Sequence, residues 1–154
     1  MGLDEIDLLI LGCLTANARL SWAEIAATAG ITRQTVAERV ERLKEANVIK
    51  AFVALIDPEA VGADLTAFVS VSIERPEQCE GFLAAIATMP HVQECHHVAG
   101  DDNYLLKVRT RGTRGLERLI TGELKRIPGV VRTRTTIVLS TAKETPVPPV
   151  EAAR

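Results

Sequence analysis

Residues 21–49 read SWAEIAATAGITRQTVAERVERLKEANVI, and their spacing decides how the chain is organised. Ser21 followed three residues later by Glu24 forms a capping box, in which each side chain satisfies the other residue's otherwise free backbone N–H. Ile25, Ala26 and Ala29 then supply one apolar stripe, and Gly30 fits the left-handed conformation that closes a helix before a sharp turn. Thr32 caps a second helix, whose Val36, Val40 and Leu43 recur at i, i+4 and i+7 and point to a core. Asn47 sits where that helix should end, because asparagine tolerates left-handed backbone better than most residues. Two short helices meeting at a tight turn form a helix-turn-helix.

At about 100° per residue, Gln34, Glu38, Glu41 and Glu45 lie opposite the core stripe of the second helix. Thr35, Arg39 and Arg42 take one flank, Arg33 and Lys44 the other. A major groove admits one helix and shows each base pair as a distinct donor and acceptor pattern, with arginine suited to guanine and glutamine to adenine. The candidate DNA contacts are therefore Ser21, Thr32, Arg33, Gln34, Thr35 and Arg39, with Arg42 and Lys44 placed for phosphates. On this reading Arg39→Ala costs specific binding about 1 to 3 kcal/mol. The competing reading is a solvated face in which Glu38 pairs with Arg42 at i, i+4.

Composition gives nucleic acid little direct support. The 154 residues carry a net charge of -2, and residues 1–60 hold six basic side chains against nine acidic ones. A DNA binder of this kind needs several copies on one duplex, where the second contact becomes intramolecular. No apolar run approaches the roughly 18 residues of a membrane span, and the start MGLDEIDLL is too acidic for a signal peptide, so a cytoplasmic protein with no membrane partner is expected, nucleoid-associated if it binds DNA. Cys13, Cys79 and Cys95 are widely spaced, which argues for reduced thiols. Trp22, following a helix cap, reads as packing.

Working outward, Asp4 caps a helix carrying Ile6, Leu9, Ile10, Cys13 and Leu14. Residues 1–50 thus form a helix-turn-helix unit. VIKAFVALI, residues 48–56, reads as a strand, and residues 51–64 as a linker strand and hinge broken at Asp57-Pro58. From Leu65 the pattern changes to strands at 65–73, 91–99, 103–110 and 130–139 with helices at 78–88 and 113–127, in the order βαββαβ. Met89-Pro90-His91-Val92 and Ile127-Pro128-Gly129-Val130 mark a weak internal repeat. Phe68, Val92, Leu106 and Val138 cannot all turn toward the helices, so a second sheet face needs cover, most simply by dimerisation. Residues 144–154 are proline-rich and expected to be disordered.

Five motifs in register, LDEIDLLIL, RLSWAEIAATAGIT, VAERVERLKEANVI, VQECHHVAGDDNYLLKV and IPGVVRTRTTIVL, resemble the leucine-responsive regulatory protein and asparagine-synthetase activator (Lrp/AsnC, feast/famine) family over Leu3 to Lys143. The resemblance implies an α+β chain: an N-terminal winged helix-turn-helix, a linker strand, and a ferredoxin-like βαββαβ (RAM-type) domain over residues 65–143 that binds effector and oligomerises. It further implies double-stranded DNA as partner, self-association into dimers and then octamers or other even assemblies, an amino-acid effector in place of any cofactor, and control of amino-acid metabolism genes without catalysis.

The family's effector loop corresponds to Gly100, Asp101, Asp102, Asn103 and Tyr104, with Thr133 and Thr135 at its threonine-x-threonine position. A free amino acid needs a carboxylate for its ammonium and backbone donors for its carboxylate, and a strand-end loop offers both. The family pattern alternates aspartate with aromatic residues there. Here Asp102 takes the first aromatic position and Asn103 the second aspartate, which removes a full charge. The alternatives weighed are a ligand-binding or assembly protein, an effector-independent architectural DNA binder, and a metal-responsive regulator built on His91, Cys95, His96 and His97. For the last, alternation on a strand lets at most two of the three residues 95 to 97 converge with His91, short of the four protein ligands of a structural zinc site, so no metal is expected.

Overall fold

The computed structural model describes residues 2–150, in two compact units. One runs to Ala54 and takes in the residues from Lys143 onward; the other is Leu55–Ala142. The boundary thus falls inside the apolar run FVALI, and residues 143–150 group with the helical unit while forming no helix or strand.

The first unit is three helices, α1 (Glu5–Ala16), α2 (Trp22–Ala29) and α3 (Arg33–Glu45). Capping boxes start α1 at Asp4 with Asp7 and α2 at Ser21 with Glu24. Gly30 closes α2 in the left-handed conformation (φ 66°), and Asn47 adopts φ 56° just past α3. Ile10, Leu14, Ile25, Ala26, Val36 and Val40 form the core, with Trp22 packed against it.

The expected strand at residues 48–56 does not form, and the helical unit has no strand among its described residues. The run lacks a ladder partner, and β-propensity without cross-strand packing does not make a strand. Ile49 packs against the helical core, and beyond it the side chains stand in solvent, Val53 72% and Leu55 73% exposed.

In the second unit β1 (Leu65–Ile73), α4 (Cys79–Ala87), β2 (Val92–His97), β3 (Tyr104–Thr110), α5 (Gly112–Glu117) and β4 (Val130–Ile137) follow the order βαββαβ. The helix expected over 113–127 starts as α5, widens into a π-helical stretch at Arg118–Glu123 and tightens into a 3-10 turn at Leu124–Arg126. The sheet is antiparallel in the order β2-β3-β1-β4. Ala67, Val69 and Val71 of β1 and Tyr104, Leu106 and Val108 of β3 face the helices, where Phe82, Ile86, Leu116, Leu119 and Leu124 complete the core. Leu106 and Val92 therefore face inward. Phe68 sits on the opposite, uncovered face in register with Lys107 and Thr136, 37% exposed.

Candidate DNA-binding and effector sites

The first turn of α3 is the exposed end of the helix-turn-helix. The Thr32 hydroxyl accepts from the Thr35 N–H at 3.1 Å and lies 2.8 Å from the Thr35 hydroxyl. Gln34 Nε2 donates to Glu38 Oε1 at 2.9 Å, which takes Glu38 away from the expected pairing with Arg42. Ser21 donates its hydroxyl to Glu24 Oε2 at 2.7 Å, and this bond, the largest influence on Glu24, holds that carboxyl below its ordinary value. Arg33 is exposed and has no hydrogen bond or ion pair to any described residue.

Arg39 and Arg42 are placed differently from the sequence expectation. Arg39 Nη1 donates to Asp4 Oδ2 at 2.7 Å and to Asp7 Oδ1 at 2.8 Å, and Arg42 Nη2 donates to both Asp7 oxygens at 2.7 Å. Asp7 is 1% exposed. The Asp4 contact, followed by Asp7, raises the Arg39 guanidinium above its ordinary value, while Arg39 holds Asp4 below its own. The structure thus ties both arginines to the start of α1 and leaves Ser21, Thr32, Arg33, Gln34 and Thr35 at the exposed surface or just beneath it.

The second site is the turn between β2 and β3. Gly100 (φ 151°) and Asp101 are exposed, and Asp101's carboxylate has no partner among the described residues. Asp102 is 6% exposed and fully engaged: Ser72 donates to Oδ1 at 2.8 Å, Arg132 to Oδ1 at 3.0 Å and Arg134 to Oδ2 at 2.7 Å. Asn103 Oδ1 accepts the Ile73 N–H at 2.7 Å, capping β1 at its register shift. Tyr104 is a core residue, its ring 4.9 Å from Phe82 and 5.2 Å from His97; a hydrogen bond with Cys79, then burial, push its hydroxyl above the ordinary value. Thr133 and Thr135 oppose Val71 and Val69, so they lie on the helix-facing side of β4. The structure brings Thr133 and Tyr104 into one row across the sheet with Val71 between them, and sets Asp102 against the arginines of the other face.

Arg132 and Arg134 were missed in the sequence because the Thr-x-Thr pattern drew attention to the opposite face. The alternation in RTRT carried the signal, since inward threonines require outward arginines.

Ser72, followed by Arg132 and Arg134, holds the Asp102 carboxyl below its ordinary value despite burial. A depressed folded-state pKa stabilises above the unfolded value of about 3.9 and is lost as pH falls through the folded one. Asp102→Asn is therefore expected to lower the melting temperature at neutral pH, with the gap to the wild type shrinking as pH drops below about 4. Thermal melts of both proteins across pH 3 to 7 check this; a gap that is constant with pH refutes it.

The histidines are otherwise occupied. His91 Nδ1 meets Arg109 O at 3.1 Å, His96 Nε2 meets Glu94 Oε2 at 3.1 Å, and His97 stacks on Tyr104. Among the described residues no group of three or more potential ligands could hold a metal ion, and no helix is long and apolar enough to cross a membrane.

An exposed reading helix on a three-helix unit, carried on one chain with an α/β sandwich, defines a two-module DNA-binding regulator. The family models agree, with residues 3–44 matching the AsnC-type helix-turn-helix domain and residues 66–148 the Lrp/AsnC ligand binding domain. The chain belongs to the Lrp/AsnC family of transcription regulators. It is similar to the leucine-responsive regulatory protein of Haemophilus influenzae, 38% identical over 93% of this chain and 87% of that protein. It is likewise 38% identical to the HTH-type transcriptional regulator LrpA of Mycobacterium tuberculosis, over 90% of this chain and 91% of that one. Among solved structures, the feast or famine regulatory protein of M. tuberculosis complexed with L-methionine superposes with a TM-score of 0.89 at 35% identity, covering 97% of this chain and all of that one. A Neisseria meningitidis regulator in complex with L-methionine gives 0.88 at 28% identity, covering 96% of each chain.

Proposed function

We propose that this regulator binds operator DNA through the first turn of α3, with Thr32, Arg33, Gln34 and Thr35 in the major groove and Ser21 alongside, and that an amino acid bound at Gly100 to Tyr104 alters that binding. The observation carrying the first half is the exposed Arg33, without a partner among the described residues, at the start of a capped helix, where arginine reaches base edges. For the second half, Asp101 is the loop carboxylate left for an α-ammonium group once Asp102 and Asn103 are engaged, and the ligand-binding-domain match and the two L-methionine complexes of relatives support it. Thr133 and Thr135 enter as the adjoining part of the last strand.

A second copy covers the open sheet face around Phe68 in this reading, and dimers associate further into octamers or other even assemblies acting at the nucleoid. Self-association also explains how an acidic helix-turn-helix holds DNA, since linked contacts multiply weak ones. One observation favours an effector-independent regulator instead: the two residues that depart from the family pattern, Asp102 and Asn103, serve the protein's own fold.

Calorimetry and thermal melts with L-methionine, L-leucine and the other common amino acids decide between the two. A ligand at about 100 times its Kd stabilises by about 2.7 kcal/mol, so a true effector gives a rise in melting temperature that grows with concentration. No shift with any amino acid removes the effector half and leaves the DNA half standing.

A further inference from the structure

We infer that Asp7, Arg39 and Arg42 form a positioning device for the reading helix, and that Arg33 is the arginine of α3 that contacts DNA. This rests on the DNA-binding reading above and assigns roles within it. Asp7 Oδ1 accepts Arg39 and Arg42, and Oδ2 accepts Arg42 and, at 3.2 Å, the Asp4 N–H. A carboxylate has about four lone-pair sites, and here all are taken.

Releasing either arginine to DNA would leave a buried carboxylate underpaired, a larger loss than one solvent-screened phosphate contact returns. The pairs link residues 32 and 35 positions apart, so they fix α3 against the start of α1. They also cancel charge. Asp4 and Asp7 neutralise Arg39 and Arg42, and Lys44 is paired with Glu41 at 2.9 Å, which leaves Arg33 as the cation of α3 without an anionic partner among the described residues.

The test uses the full chain with two duplexes of equal length, one selected by the protein from a randomised pool and one scrambled. Affinities of the wild type, Arg33→Ala, Arg39→Ala and Arg42→Ala are measured over a range of salt, with circular dichroism to confirm folding. Arg33→Ala is expected to weaken binding to the selected duplex by about 5- to 150-fold. Because its charge also displaces counterions from the groove it enters, Arg33→Ala is expected to make the slope of log K against log salt shallower, by up to about 0.9, with the melting temperature unchanged. Arg39→Ala and Arg42→Ala are expected to leave the slope unchanged while narrowing the preference for the selected duplex, because a displaced helix keeps its phosphates and loses its base register.

A slope shallower by about 0.9 in either of these two variants overturns the inference, and so does an equal loss on both duplexes, which would mean only a smaller folded fraction. Arg42, 47% exposed at its side chain, carries the test if Arg39→Ala does not fold. A wild type that prefers no duplex would instead refute the DNA-binding reading itself.

Discussion

The double variant Arg39→Ala/Arg42→Ala is expected to destabilise the N-terminal unit by about 3 to 5 kcal/mol, the cost of leaving a buried carboxylate without its cations. Asp7 is almost wholly enclosed, and the Asp4 N–H alone would remain to it. The reverse deletion is milder. Asp7→Ala leaves two guanidiniums with partial access to water, so its cost is the lost charge-assisted bonds, about 1.5 to 3 kcal/mol. The asymmetry gives a sharper result: adding Asp7→Ala to the double variant is expected to recover stability, because the stranded charge disappears. Urea unfolding of the three variants measures this, and a triple variant less stable than the double would show that the arginines contribute through packing alone.

The second large effect is expected in the sheet domain. Phe82→Ala removes a fully buried ring that packs against Tyr104, and truncation of a core aromatic costs about 3 to 5 kcal/mol. Tyr104 directly follows Asn103, whose N–H bonds Val71 O at 2.9 Å, so a cavity beneath the tyrosine loosens the β2–β3 turn as well. Phe82→Leu, which refills much of the space, is expected to restore most of the stability. Denaturation of the three proteins, with amide exchange at residues 98 to 103, reads both effects. Unaltered exchange in Phe82→Ala would separate the turn from the core.

What the sequence made legible was local. The Ser21 and Glu24 pair, the Gly30 stop and the Thr32 cap all depend on neighbours within a few positions, and the structure has them as read. Partners far along the chain were not legible. Asp4 was recognised as a cap, but its bond to Arg39 spans 35 residues, and i, i+4 reasoning offered Arg42 a glutamate when its partner is Asp7. In the effector loop, a pattern of residue types pointed to Tyr104, but not to its burial in the core, which the register of β1 and β3 sets. Residues 48–56 have strand chemistry and no strand, because pairing is a property of two segments.

That unpaired run has a bearing on how much of the protein a cell must hold. A solitary chain displays Phe52, Val53, Leu55 and Ile56 beside unbonded backbone, the adhesive combination that a partner's cover neutralises. If a second copy is that partner, as in the self-association proposed above, its cover is thermodynamically part of the fold, and dilution withdraws it by mass action. Abundance then becomes a folding variable: scarce copies are expected to melt earlier and to be cut there first.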